Sequence, residues 1–165
     1  MPPLSHTHLR RGKRPRAAGD ILAGALALAI LPLLVLPVLA QTPPADPIAA
    51  RQAGMKQAGK DSDEIKKVAD AGGDVAPLAA QAQAIADWER KVPSVFPPGS
   101  DAGKTKAKPE IWQNFADFRS LAADTAAQAD KLVKLAQADD KAGFDAQFHT
   151  LAAACGTCHR RYRNR

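Results

Sequence analysis

Near the end of the chain stands Cys155-Gly156-Thr157-Cys158-His159. Two thiols three residues apart, with an imidazole directly after them, form the c-type haem attachment signature. On a helix, positions i and i+3 share a face, so each thiol can form a thioether with a haem vinyl group. His159 can then reach the iron of the same haem as proximal ligand. Cys155 and Cys158 are the only cysteines in the chain, so neither belongs to a wider disulfide framework. Two other chemistries use the same residue types. A Cys-x-x-Cys dithiol normally opens a helix in a βαβ unit, where the helix N-terminus lowers a thiol pKa. Here the motif falls near the end of a helical pattern. A zinc site normally takes four ligands, and this motif supplies at most three, with no second cysteine pair to complete them. Haem is the reading that the pentapeptide, the helical context and the export signal support together.

A haem held by His159 has one axial position left, and its occupant decides the chemistry. Met55 is the single methionine after Met1. Its thioether sulfur is one candidate for that position; the alternative is a core gap-filler that touches the haem face without bonding. Arg51 lies one turn earlier on the same helical face. A guanidinium there can hydrogen-bond and neutralise a haem propionate; the alternative is a solvated surface charge. His149 is the one other histidine beyond residue 40. It follows Phe148, so on a helix it points about 100° away from that side chain, and it reads as a surface or flanking histidine. Trp88 and Trp112 read as bundle core rather than electron conduits. Lys104, Lys106 and Lys108 read as solvated loop charges, with a docking patch for an acidic redox partner as the weaker alternative.

The elements that must position these residues are helices. Asp46-Pro47 is a helix start, with Asp at the N-cap and Pro in the first position. The composition that follows predicts a helix to about Ala71, although Gly54 and Gly59 each cost roughly 1 kcal/mol against Ala. Small residues there leave room for a bulky planar group close to the backbone, or mark a loop or kink near Gly59-Lys60-Asp61. Gly72-Gly73 breaks the chain. Asp74 can cap a second helix from Val75 to about Lys91 that carries Leu78, Ile85 and Trp88. Pro93, Pro97, Pro98, Gly99 and Gly103 mark a long loop. Lys108-Pro109-Glu110 predicts a third helix, continuous to about Ala138, with Ile111, Phe115, Phe118, Ala122, Thr125, Leu132 and Leu135 as its apolar content. Asp139-Asp140 precedes a last helix from about Lys141 to Tyr162. There Phe144, Phe148, Leu151, Cys155, Cys158/His159 and Tyr162 recur at spacings of three and four and form one stripe. The haem anchors thus lie on the face that packs inward, and no segment shows strand alternation. The expected fold is all-α, an antiparallel four-helix bundle with covalently attached haem in its core.

The first forty residues read as a leader rather than as part of the fold. Arg10, Arg11, Lys13, Arg14 and Arg16 precede an apolar stretch from Ile21 to Leu39, and Val38-Leu39-Ala40 suits cleavage before Gln41. The alternative, an uncleaved anchor, is weakened by Pro32 and Pro37 within the apolar run. The expected organisation is a cleaved secretory signal over 1–40 and one haem domain over 41–165. The formal charge of +6 belongs mostly to the leader, which holds five Lys and Arg and one Asp. The remainder is near +2, and two propionates would bring it close to neutral. The sequence pI of about 9.6 is therefore no sign of nucleic-acid binding.

These residues resemble the class II c-type cytochromes, cytochrome c′ and its low-spin relatives such as cytochrome c556. The resemblance covers 46–165. It rests on Arg51-Gln52 with Met55, on Phe96-Pro97-Pro98-Gly99, on Pro109-Glu110-Ile111-Trp112, and on the Cys155–His159 motif followed by Tyr162-Arg163. It implies one haem c, thioethers at Cys155 and Cys158, and proximal ligation of iron by His159. It implies that Arg51 contacts a propionate, that Met55 covers the distal face, and that Arg163 stands near the proximal histidine. In low-spin members a Met at that position binds iron; in cytochrome c′ the residue there does not. Arg160 departs from the family, where an acid often follows the histidine. The expected function is a periplasmic one-electron carrier, not an enzyme. Its expected partners are redox proteins of the periplasm or inner membrane. No nucleic acid and no stable membrane insertion after cleavage are expected, and the state is monomer or homodimer. The alternative is a five-coordinate cytochrome c′ that binds nitric oxide or carbon monoxide.

Overall fold

A computed structural model describes residues 45–165; the expected signal segment lies outside the described residues. Helix α1 spans Pro47–Asp70, and the Asp46 side chain accepts the Ala49 N–H at 2.9 Å. Cap and proline thus act as their positions predict. The helix runs unbroken through Gly59-Lys60-Asp61, so no loop interrupts it there. It ends where Gly72 adopts φ 63°, which lets the Gly73 N–H reach back to Val68 O at 2.9 Å. A 3₁₀ turn over Ala76–Leu78, whose Ala76 N–H donates to the Asp74 side chain at 3.1 Å, leads into α2, Ala79–Lys91.

The expected third helix is two helices. Helix α3 covers only Glu110–Gln113, and α4 runs Phe115–Gln137. Between them Asn114 has φ −124° and ψ 42°, and both its backbone N–H and its side-chain amide donate to Glu110 O. Asparagine competes with the helix by such local bonding, and apolar periodicity alone does not register it. Helix α5 covers Lys141–Tyr162, with the Asp140 side chain accepting the Gly143 N–H at 2.9 Å. The turn before it is tight, because Asp139 takes φ 50° and Asp140 N–H returns to Leu135 O.

Helix α2 packs on α1 and α4, and α4 packs on α5 along most of its length, while α1 and α5 meet sparsely. The fold is the expected all-α antiparallel four-helix bundle. Its core has two parts. One joins Ile65, Leu78, Ile85, Leu132, Phe144, Phe148 and Leu151. The other joins Val92, Val95, Phe96, Ile111, Phe118 and Tyr162, with Met55, Trp88 and Trp112 half-buried against it. Each fully buried side chain of this size contributes roughly 1.5–3 kcal/mol. Among the described residues the one extended pairing is an antiparallel bridge between Ala107 and Arg163, which ties the long loop to the tail of α5.

The room left by Gly54 is filled by a tryptophan. A β-carbon at Gly54 would run into the six-membered ring of Trp88, so α1 and α2 approach closely only because that atom is missing. Exposed Gly→Ala changes inside helices usually stabilise by about 1 kcal/mol. Here Gly54→Ala is expected to destabilise the holoprotein by about 1–3 kcal/mol, read as a lowered midpoint in chemical or thermal denaturation.

Candidate haem site

Helix α5 is held at both ends by apolar burial, with Phe144, Leu151 and Tyr162 no more than 2% exposed. Between these anchors Cys155, Cys158 and His159 are half-buried. Cys155 packs against the first core cluster and Cys158 against the second. The attachment motif therefore straddles the seam between the two halves of the core.

A cavity of about 820 Å³ opens beside it, within the ~300–1,000 Å³ usual for ligand sites. Arg51, Gln52, Met55 and Gly59 line it from α1. Phe96 and the 103–107 stretch line it from the loop, Ile111 and Phe118 from α3 and α4, and Cys158, His159, Tyr162 and Arg163 from the end of α5. The structure thus brings Arg51, Met55, Cys158, His159 and Arg163 to one space; Cys155 lies just outside its lining.

Arg51 is not the solvated charge that one reading allowed; it is 3% exposed. Its guanidinium donates to Ser100 Oγ at 3.1 Å, to Ser100 O at 2.8 Å and to Thr105 Oγ1 at 2.8 Å. It also lies 4.7 Å from the centre of the Phe96 ring and 5.8 Å from that of Trp112. Burial lowers its pKa, and the charge of Asp46 partly offsets this. Among the described residues no carboxylate pairs with it directly. A buried cation with neutral acceptors and no anion fits a propionate.

The thiols are desolvated. Burial, then the charge of Glu89, pushes Cys155 up to about 11, and the same causes with smaller ones push Cys158 up to about 12. Both stay protonated near neutral pH, unlike a reactive dithiol or a thiolate metal site. Among the described residues no cluster of three or more His, Cys, Asp or Glu is placed to hold a metal ion. Burial and the neighbouring Arg163 lower the His159 pKa. Its imidazole is therefore neutral at pH 7, the form that binds metals. The apolar lining, the neutral imidazole, the paired thiols and the unpaired guanidinium fit a haem with two propionates.

Other expected residues fall elsewhere. His149 is on the surface with its side chain 72% exposed, 3.8 Å from Asp145. Arg163, by contrast, stands at the edge of the cavity, exposed, with its backbone in the bridge to Ala107. Lys108 is corrected from a solvated charge to a half-buried one. Its Nζ donates to Arg160 O at 3.3 Å and Arg161 O at 3.2 Å, a cation on the carbonyl end of α5. Trp112 is tied by its indole N–H to Pro97 O at 2.9 Å. Trp88 keeps a buried indole N–H without a partner among the described residues. Tyr162 O–H donates to Asp117 Oδ2 at 2.5 Å, and Arg161 donates to the other oxygen at 3.1 Å. Sequence reasoning missed Glu89, whose carboxyl is pushed up to about 7 by burial. It follows Trp88 on α2, and only the placement of α2 opposite the thiols reveals it.

The family model described as cytochrome c′ matches residues 46–163. A cytochrome c-556 of Agrobacterium tumefaciens (strain II Chrys) is 43% identical over 90 residues, 54% of this chain and 72% of that protein. A cytochrome c′ of Allochromatium vinosum is 30% identical over 125 residues, 73% of this chain and 81% of the relative. The crystal structure of cytochrome c′ from Thermochromatium tepidum matches with a TM-score of 0.70 at 29% identity, covering 76% of this chain and 100% of that one.

Glu89 sets a pH dependence. Its folded pKa of about 7 lies above the ordinary 4.5, so the folded state keeps a proton that the unfolded chain has released. The resulting stability is present in full below pH 4.5 and is lost as pH rises through about 7, on the order of 3 kcal/mol in total. Denaturation midpoints of the holoprotein should fall between pH 4.5 and 7.5, and Glu89→Gln should flatten that slope.

Proposed function

The chain belongs to the cytochrome c′ family, and on that premise we propose that it is a one-electron carrier of the periplasm with His159 and Met55 as the two axial ligands. It is a c-type cytochrome, and haem c is the cofactor of such proteins. Bound in this cavity, haem supplies an iron centre that gains and loses one electron at a time. Cys155 and Cys158 would hold it through thioethers. Arg51 would hold one propionate, and Arg163 stands at the rim near His159.

The observation that carries the reading is that Met55 and His159 line one cavity from different helices. Met55 is half-buried against the aromatic half of the core, so the protein fixes its backbone while its unbranched side chain stays adjustable. His159 offers a neutral imidazole one residue after the second thiol. Ligands on two helices that are each packed into the rest of the bundle move little when charge changes, which suits electron transfer. The domain would be residues 41–165, exported by the leader over 1–40. Among the described residues no helix is long and apolar enough to cross a membrane.

The optical spectrum of the holoprotein tests this. A low-spin spectrum with sharp, split reduced bands and no response to carbon monoxide is expected. Met55→Ala should turn it into a high-spin form that binds carbon monoxide. A wild-type spectrum already broad, high-spin and responsive to carbon monoxide would leave the sixth position open and favour gas binding.

A further inference from the structure

We propose that the basic rim around the cavity mouth is the surface of electron exchange and that it fits an acidic redox protein. The proposal rests on the electron-carrier reading and names its kind of partner. A second cleft of about 610 Å³ abuts the first, and His159 and Arg163 line both. Lys56, Lys104, Lys106 and Arg163 border the cavity. Lys108, Arg160 and Arg165 border the cleft. No Asp or Glu lines either one. All of these cations are exposed except the half-buried Lys108, and none has an ion-pair partner among the described residues.

This gathering is not a reflection of overall charge. Beyond residue 40 the chain has eighteen Lys and Arg against sixteen Asp and Glu. Seven of the eighteen stand on the rim and Arg51 lies inside, which leaves ten cations against sixteen acids elsewhere. Two propionates would neutralise at most two of the eight, so the mouth stays positive on a protein that is otherwise acidic.

The rim is also held in place. Asn164 N–H donates to Lys106 O at 2.8 Å and Lys108 N–H to Tyr162 O at 3.0 Å. Gln52 Nε2 donates to Lys104 O at 2.8 Å. Charges from α1, the loop and the tail therefore sit on one fixed surface beside His159. Such a focused field raises encounter rates with an anionic partner and orients it. The second cleft is lined by polar and charged side chains alone, which favours carboxylates of a protein over insertion into a lipid surface.

The test uses ferrous holoprotein mixed with hexacyanoferrate(III) or with tris(phenanthroline)cobalt(III). In each case one electron leaves the protein iron and lowers the oxidant's charge by one, with no proton or bond transferred. The hexacyanoferrate rate should fall about tenfold from low to physiological ionic strength, and the cobalt rate should rise. Lys104→Glu with Lys106→Glu should lower the hexacyanoferrate rate several-fold. Lys131→Glu with Lys134→Glu, the same charge change on exposed positions of α4, should leave it nearly unchanged. Poly-L-glutamate, as an acidic-polypeptide probe, should bind at low salt and compete with hexacyanoferrate in the wild type but not in the loop variant. Equal effects of the two double variants, or no competition by poly-L-glutamate, would overturn the proposal. So would binding to phosphatidylglycerol vesicles without binding to poly-L-glutamate. Oxidation by neither reagent, with poly-L-glutamate still bound through the rim, would sink the carrier reading while upholding the docking surface.

Discussion

The rest of the site depends on one guanidinium taken out of water. Burying an unpaired charge costs several kcal/mol, and Arg51 has no carboxylate against it. What offsets the cost is the long loop. Ser100 and Thr105 supply three acceptors, and Phe96 and Trp112 lie close to its cationic plane. Hydrogen bonds from a charged donor are worth about 1.5–3 kcal/mol each, so a loop rich in proline and glycine is pinned to α1 at a definite place. From there the loop returns to the Ala107–Arg163 bridge and fixes the end of α5, where His159 stands. The arginine on the first helix thereby helps to place the histidine on the last.

Two of the ionisable groups confined in this region, Arg51 and Glu89, meet the same difficulty in opposite ways. Arg51 keeps its charge, because even a lowered arginine pKa stays far above neutrality, and it recruits neutral oxygens. Glu89 gives its charge up, because a proton can be held at about pH 7 and nothing nearby compensates the anion. The thiols lie on Glu89's side and are pushed the same way. The two groups thus differ: Arg51, which lines the cavity, is a permanent cation, and Glu89, outside that lining, is an acid poised near neutrality.

What could be read from the chain follows the range of each interaction. The starts of α1 and α5 are set by Asp46-Pro47 and Asp140, whose caps act within three residues, and both were legible. So was the α5 stripe from Phe144 to Tyr162, because periodicity and burial are the same information on a packed helix. The split at Asn114 was not, since its signal is one side chain within an otherwise regular apolar pattern. The burial of Arg51 rests on partners 49 and 54 positions away, and the role of Lys108 on carbonyls 52 and 53 away. Spacing put Arg51 and Met55 on one face, but only the folded loop decides whether that face meets water. Gly54 was legible as room for a planar group, though not that the group filling it is Trp88.

The packing is uneven, and the unevenness has a consequence. Helix α4 is closely covered by α2 and α5, whereas α1 touches α5 sparsely, and the cavity opens between them. The apolar faces of Phe96, Ile111 and Phe118 are turned toward that space, so side chains alone leave the bundle incompletely closed there. Arg51 and Met55 approach from one side of the opening, Cys158 and His159 from the other. A planar cofactor bonded to both sides would fill the opening and join α1 to α5 by bonds rather than by side-chain contact. A group held by thioethers stays on the unfolded chain as well, so it would stabilise the fold only through the packing and coordination that the folded state alone makes. On the proposed ligation, Met55 would therefore serve the fold as well as the iron, because it would be the one coordinate bond that ties the first helix to the last.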